Sequence, residues 1–456
     1  MRVLLLVAAA LLLILPSTGC RDPEPALPVA LCGMESYELL PAEEVGGVVA
    51  SEEVTLLDLD AAGIDGLLAA GGLADVLGPS PYGARVFRLR YRTQDRGVVR
   101  EATTVAAFPA NADLPAELPL LIYTHGTTGF SDPCAPSADL GGQLLAAAIA
   151  ARGYIVAAPD YLGLTGLGET VDLRHPYLIG EPTAIASWDA LRATIALGAA
   201  EGVEAVPSHQ TAIMGASQGG HAAFFTARYG PHYAPEFDID AVLPSIPPID
   251  MRELMAFGVD DRGGIHGLLA AMLNAYRNWY GAPASMEGVL VNDAPHNLAD
   301  NIDTLMYPTD ACDAGDELGA ILQASGSLYE ADFTEGMRGG SVGEPWDCYL
   351  EVNSINAAPI PRGDDPPFFV AAGELDELVP LVTVTDGVSE LCASGYGIEL
   401  LVCQDANHVQ GGTWSLREQL DWLNARMAGE PMDPARSCEI PAPSCCSGSD
   451  PAVCTS

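Results

Sequence analysis

The residues able to do chemistry together lie in three short stretches. The first is Gly215-Ala216-Ser217-Gln218-Gly219-Gly220, which directly follows the strand-like run Thr211 to Met214 and directly precedes a helical pattern. Glycines on both flanks let the chain turn sharply at Ser217, which exposes its hydroxyl at the apex and sets a helix N-terminus behind it. A serine nucleophile needs a base, and the base needs a carboxylate to orient it. The second stretch supplies the carboxylate: Phe368 to Gly373 reads as a strand end, and Glu374-Leu375-Asp376-Glu377-Leu378-Val379-Pro380 follows it. In the third, a strand ending at Val402 is followed by Asp405-Ala406-Asn407-His408-Val409 and then a final helix, which offers His408 as the base. Glu374, Glu377 and Asp405 also stand near strand ends and compete with Asp376 for the acid's role.

Acyl chemistry at a serine also requires two backbone donors aimed at the developing oxyanion, each worth about 3 kcal/mol. Gln218 provides one N–H by following the nucleophile. The other is expected from the loop after Leu120 to Thr124, which reads His125-Gly126-Thr127-Thr128-Gly129. Its glycines allow the backbone to approach a substrate closely, and Thr127 is the expected donor, with Gly126 beside it as the alternative.

These residues need a rigid frame. Alternating apolar patterns at Arg85 to Tyr91 and Val98 to Phe108 predict an antiparallel opening pair. Continuous apolar runs follow at Leu118 to Thr124, Tyr154 to Pro159, Thr211 to Gly215, Ile239 to Leu243, Pro367 to Ala371 and Ile398 to Val402. Helix-length segments separate them, at Ala138 to Arg152, Ala184 to Ala200, Gly220 to Tyr229, Leu378 to Cys392 and Thr413 to Met427. Such alternation predicts an α/β fold with a mostly parallel sheet covered on both faces. It is interrupted once, by an insert at 251–365 whose apolar, aromatic helix Leu268 to Tyr280 predicts a helical cap. The expected core is therefore 31–250 with 366–430, followed by a Cys-rich tail at 431–456; a short helical prelude is expected over Ala61 to Leu77.

The first 19 residues carry one Arg, an apolar run from Val3 to Leu15 and small residues before Cys20, the pattern of a secretory signal. Cys20 after Thr18-Gly19 also resembles a bacterial lipobox, with Ser17 where Leu is usual; the Pro-rich 20–30 segment then reads as a lipid-bearing Cys and its spacer. The alternative is an ordinary cleaved signal. Setting Cys20 aside leaves ten of the 11 cysteines, an even number suited to disulfides outside the cytosol. Cys438, Cys445, Cys446 and Cys454 crowd the tail without a His, so disulfides are expected there rather than a metal; Cys312 and Cys348 are candidates to staple the insert.

The chain has 61 acidic and 20 basic residues, every one of the latter Arg, and a formal net charge of -41. That balance repels phosphate backbones and excludes nucleic acid as a partner. A hydrophobic fraction of 49% excludes an acidic disordered chain.

The order Ser217, Asp376, His408, with His125-Gly126, Pro159-Asp160-Tyr161-Leu162-Gly163, His175-Pro176-Tyr177-Leu178 and Trp188-Asp189-Ala190-Leu191-Arg192-Ala193, resembles the secretory lipase branch of the α/β-hydrolase superfamily. The resemblance covers roughly Arg85 to Met427. It favours Asp376 through its Gly-x-x-Asp-x-x-Val-Pro setting, and implies hydrolysis of carboxylic esters or acylglycerols, with no metal or organic cofactor. It also implies that Asp160, His175 and Arg192 tie the active-site loops together. His221, behind the elbow, is expected to be structural, and His296 to lie at the surface or line the substrate site. A serine peptidase of the same fold and a non-catalytic surface lipoprotein are the rival readings.

Overall fold

The computed structural model describes residues 27, 31–110, 114–260, 264–281, 286–293, 297–307, 312, 326–363, 366–449 and 454. The expected signal segment at 1–19, Cys20 and His296 lie outside the described residues.

Nine strands form one sheet in the order β1-β2-β3-β5-β4-β6-β7-β8-β9. They are β1 Val48–Glu53, β2 Gly83–Asp95, β3 Val98–Ala110, β4 Leu118–Thr124, β5 Ile155–Pro159, β6 Pro207–Ala216, β7 Asp238–Ser245, β8 Phe368–Gly373 and β9 Ile398–Cys403. Pairings from β1 through β3 to β5 are antiparallel, and all later ones are parallel. The opening pair is a hairpin of two 13-residue strands in perfect register, closed by Arg96 and Gly97, both at positive φ (52° and 71°). Positive φ at both turn residues matches the right-handed twist of the strands. Gly97 is required here for space as well, since a Cβ would lie 2.3 Å from the Glu38 carbonyl oxygen. β1 is the element absent from the sequence-based expectation; its Val-Val-Ala-Ser-Glu-Glu run is largely exposed and carries no periodic apolar signal.

The pleat sends alternate residues to two apolar layers. Leu120, Ile122, Ile213, Phe368 and Val370 face one, with helices α3 Gly180–Ala200 and α4 Gln218–Tyr233. Leu121, Ala212, Met214, Phe369 and Ala371 face the other, with α1 Ala61–Ala70, α2 Leu140–Ala150 and α12 Leu416–Met427. α3 is apolar almost all round and is buried along most of its length, packed on the sheet and against α4. Trp188, fully buried, donates from Nε1 to the Thr226 carbonyl at 2.9 Å and links α3 to α4.

Between β7 and β8 lie α5 Met251–Gly258, α6 Gly264–Tyr280, α7 Leu298–Met306, α8 Ala331–Arg338 and α9 Trp346–Val352. Their apolar faces, including Leu254, Leu269 and Tyr276, continue the layer that holds α3 and α4. After β8 come α10 Leu381–Ala393 and, beyond β9, α11 His408–Trp414. A single helix was expected from Thr413 to Met427; the chain instead breaks at Ser415. The break lets α11 press against β8, where a Cβ on Gly411 would meet the Gly373 nitrogen at 2.6 Å, while α12 buries Trp422 and Leu423 in the layer with α1 and α2.

Five disulfides join Cys32 to Cys348, Cys134 to Cys312, Cys392 to Cys438, Cys403 to Cys446 and Cys445 to Cys454. Cys312 and Cys348 therefore do not staple the insert to itself. Each ties it outward, one to the loop after β4 and the other to the N-terminal segment. The tail returns along β9, with Cys438 N donating to Ile398 O and Ser444 N to Val402 O.

The N-terminal segment lies as a strap across the hairpin turn and α3. Leu40 exchanges two hydrogen bonds with the Gln94 side chain, and Tyr37 donates at 2.5 Å to Glu181, which also accepts from Tyr229. Burial pushes the Glu181 carboxyl up to about 7 from an ordinary 4.5. Because the folded state holds this proton more tightly than the unfolded chain, the group's contribution to stability falls as pH rises from about 4.5 to about 7. Glu181→Gln lacks that titration, so its melting temperature relative to wild type should be higher at pH 8 than at pH 5. An offset that does not change with pH would show that Glu181 is not held protonated.

Candidate active site

Ser217 sits between β6 and α4 with φ 58° and ψ -120°, a conformation worth on the order of 1–3 kcal/mol of strain for a non-glycine residue. Its surroundings enforce that geometry. Ser217 N donates to the Ser245 carbonyl of β7 at 2.9 Å, and Ser217 O accepts from Gly220 N and His221 N as α4 begins. A Cβ on Gly215 would lie 2.1 Å from Thr124 Oγ1, and one on Gly219 would lie 2.0 Å from Thr124 O. The glycines flanking Ser217 thus let the elbow pack directly on the end of β4.

His408 is the first residue of α11 rather than a loop residue. Asn407 and Gln410 form a capping box around it, and His408 N donates to Glu377 Oε2 at 3.1 Å. The ring is buried, with Nε2 2.9 Å from Ser217 Oγ and Nδ1 2.8 Å from Asp376 Oδ2. Asp376 Oδ1 in turn accepts from Leu378 N at 3.0 Å and Val379 N at 2.8 Å, which fixes the carboxylate. A carboxylate cannot donate, so Nδ1 carries the hydrogen and Nε2 presents its lone pair to the Ser217 hydroxyl. Of the competing acids, Glu377 caps His408 N, and Glu374 accepts from Asp405 N at 2.8 Å. Neither occupies the place of Asp376 against the imidazole.

The loop after β4 comes up to the elbow. A Cβ on Gly126 would be 3.2 Å from Ala216 O and 3.8 Å from Ser217 Cβ. Thr127, next along, is half-buried and its hydroxyl lies 2.9 Å from Tyr177 Oη. Gln218 is buried at the start of α4. The remaining motif residues support these loops. Asp160 accepts from Ser137 N and from the hydroxyls of Ser137 and Thr103, and burial pushes its carboxyl up to about 6. Arg192, expected to tie these loops together, instead bridges Asp189 and Glu236 and donates to Tyr233 O at the end of α4. His221 is hydrogen-bonded to Asn353 O, and burial pushes it, like His125 and His175, down to about 4. These three imidazoles are therefore neutral at physiological pH.

A narrow cavity of about 20 Å³ opens at Ser217 and Gln218, lined by Tyr177, Leu178, Leu254, Leu269 and Val379 among others. Leu254 and Leu269 belong to the helices between β7 and β8, and no local pattern in the chain marks them as reaching the serine. Larger clefts of about 460 Å³ and 240 Å³ lie elsewhere and share no lining residue with this site.

A mostly parallel sheet flanked by helices, with a serine at the sharp turn after β6, is the architecture of the α/β-hydrolase fold. Residues 140–306 match the family model described as secretory lipase, which bears out the resemblance read from the sequence over that stretch. Among solved structures, the rice cell wall degrading esterase LipA from Xanthomonas oryzae is similar at 20% identity and TM-score 0.67, over 84% of this chain and 97% of that one. A putative hydrolase from Legionella pneumophila gives 21%, 0.69, 85% and 100%, and Candida antarctica lipase A in its closed state 18%, 0.62, 95% and 92%. No curated protein sequence matches.

Proposed function

We propose that the protein cleaves carboxylic esters by acyl transfer through Ser217 to water. The observation that carries this reading is the chain of contacts at 2.8 Å and 2.9 Å from Asp376 through His408 to Ser217 Oγ. His408 Nε2 takes the Ser217 proton as Oγ attacks the ester carbonyl, and the N–H groups of Gln218 and Thr127 hold the tetrahedral oxyanion. The intermediate collapses with loss of the alcohol, which leaves with the proton from His408. Water then gives a proton to His408 and attacks the acyl-enzyme, which releases the carboxylic acid and restores Ser217. Asp376 keeps the imidazole in the working tautomer and stabilises the imidazolium.

The cleft favours esters over peptide amines, because the residues lining it include no carboxylate to hold a substrate ammonium. Leu375 and Val409, which adjoin Asp376 and His408 in sequence, are 59% and 63% exposed and give the surroundings of the serine an apolar character. We take 251–365 as a cap over the core formed by 31–250 and 366–430. The five disulfides use ten of the 11 cysteines, which supports export and the reading of Cys20 as a lipid-bearing residue behind a 1–19 signal.

Hydrolysis of p-nitrophenyl esters from acetate to palmitate by protein beginning at Arg21, with Ser217→Ala as the blank, tests the reading. Ser217-dependent activity rising towards long acyl chains is expected. A maximum at acetate would make the protein a small-ester carboxylesterase, and silence across the series from folded protein would overturn the proposal.

A further inference from the structure

The two expected oxyanion donors sit on different loops, Thr127 after β4 and Gln218 after β6, and one turn touches both. Tyr177 Oη lies 2.9 Å from Thr127 Oγ1, and His175 Nε2 lies 2.9 Å from Gln218 Nε2. The turn between them, His175-Pro176-Tyr177, is itself tied: Tyr177 N donates to His175 O, and Leu178 is held at φ 55°. His175 Nδ1 is 2.9 Å from the Leu162 carbonyl, so it must donate there; its Nε2 is then a lone pair that accepts from the Gln218 carboxamide. Burial keeps this ring neutral and so preserves that role. A column of rings fills the space behind: His125 stacks on Tyr161 with centroids 4.2 Å apart, Tyr161 on His175 at 5.9 Å, and the Tyr161 hydroxyl donates to His125 O. Phe130, from the same loop as Thr127, meets Tyr177 edge to face.

We infer that the His175-Pro176-Tyr177 turn is a clamp that sets the spacing of the oxyanion hole, with Tyr177 and His175 as positioning residues for Thr127 and Gln218. The inference rests on the hydrolytic reading above. Its physical basis is that backbone donors work only at hydrogen-bond distance from where the oxyanion forms, and that a 1 Å misplacement can cost about 10²-fold in rate. The elbow is fixed by β6 and α4, whereas the loop carrying Thr127 belongs to no helix or strand. The Tyr177 hydroxyl makes the hydrogen bond that ties Thr127 of this loop to the same turn that grips Gln218.

Tyr177→Phe removes that bond without changing the ring. We expect kcat on p-nitrophenyl butyrate to fall about 10- to 100-fold with KM within about twofold, because the lost stabilisation belongs to the transition state. Labelling by a fluorophosphonate should slow by the same factor. Thr127→Val deletes the same bond from the other side and keeps the backbone N–H, so the double variant should be no slower than the slower single one. Gln218→Leu likewise keeps its N–H, loses the carboxamide held by His175, and should also lower kcat. Melting temperatures are measured alongside, and if Tyr177→Phe fails to fold, Thr127→Val and Gln218→Leu carry the test. Wild-type kcat in the singles, a rise in KM alone, or losses that multiply in the double variant would overturn the clamp while Ser217-dependent turnover persists. Turnover that survives Ser217→Ala would overturn the hydrolytic reading and the clamp together.

Discussion

Ser217→Ala is expected to lower kcat on any accepted ester by on the order of 10⁶, the scale at which a serine hydrolase loses its nucleophile. The geometry explains why so little should remain. The Ser217 hydroxyl is the partner of His408 Nε2 at 2.9 Å, and the residues lining the cleft offer no Cys, Thr or Lys that could replace it. An alanine fits the elbow, because the neighbouring close approaches are made by Gly215, Gly219 and Gly220 rather than by the serine side chain. The variant should therefore fold, melt near the wild-type temperature and fail to react with a fluorophosphonate. Residual hydrolysis would reflect binding and the oxyanion donors alone. A folded Ser217→Ala protein with wild-type turnover would remove Ser217 from the mechanism.

Asp376→Asn should cost on the order of 10⁴ in kcat. Asp376 Oδ1 accepts from two backbone amides, Leu378 N and Val379 N, so an asparagine keeps its oxygen there and turns its NH₂ towards His408. Nδ1 then faces a donor and must become the acceptor. The ring's hydrogen moves to Nε2, where it meets the Ser217 hydroxyl and leaves no lone pair for the serine proton. The fold should survive, since the two amide bonds persist. Steady-state kinetics on the p-nitrophenyl ester that wild type turns over fastest provide the measurement. A loss below about tenfold would reassign the acid's role, and Glu377, 3.1 Å from His408 N, would be the next residue to replace.

The frame that carries these residues was largely legible, because burying a parallel sheet on both faces leaves continuous apolar runs in the chain. β4 falls on the residues expected of it, and β5 to β9 overlap the remaining runs. The elbow was legible for a related reason: a strand, a serine between glycines and a helix leave few ways for the backbone to turn. What escaped the sequence depends on contacts between distant segments. β1 is recruited by pairing with β2, not by its own pattern, and the partners of Cys312 and Cys348 are set by how the chain crosses itself. The break at Ser415 lets α11 seat against the end of β8 while α12 turns its apolar side to the layer shared with α1 and α2, which no local periodicity records. Tyr177 escaped as well, because a tyrosine in a loop carries no sign that its hydroxyl will meet Thr127 some 50 residues earlier.

The two ends of the sheet differ in a way that bears on how copies of this protein meet one another. An outer strand offers a row of unsatisfied amides and carbonyls on which a second molecule can add its own strand. At β9 that row is occupied: the tail pairs with it at Ser444 and is fastened there through Cys392–Cys438 and Cys403–Cys446. Among the described residues nothing pairs with the outer side of β1, but the strand is short and carries Glu52 and Glu53 in a chain of net charge -41. Self-association is thus opposed by covalent closure on one flank and by electrostatic repulsion on the other. Only the second of these defences is weakened by salt.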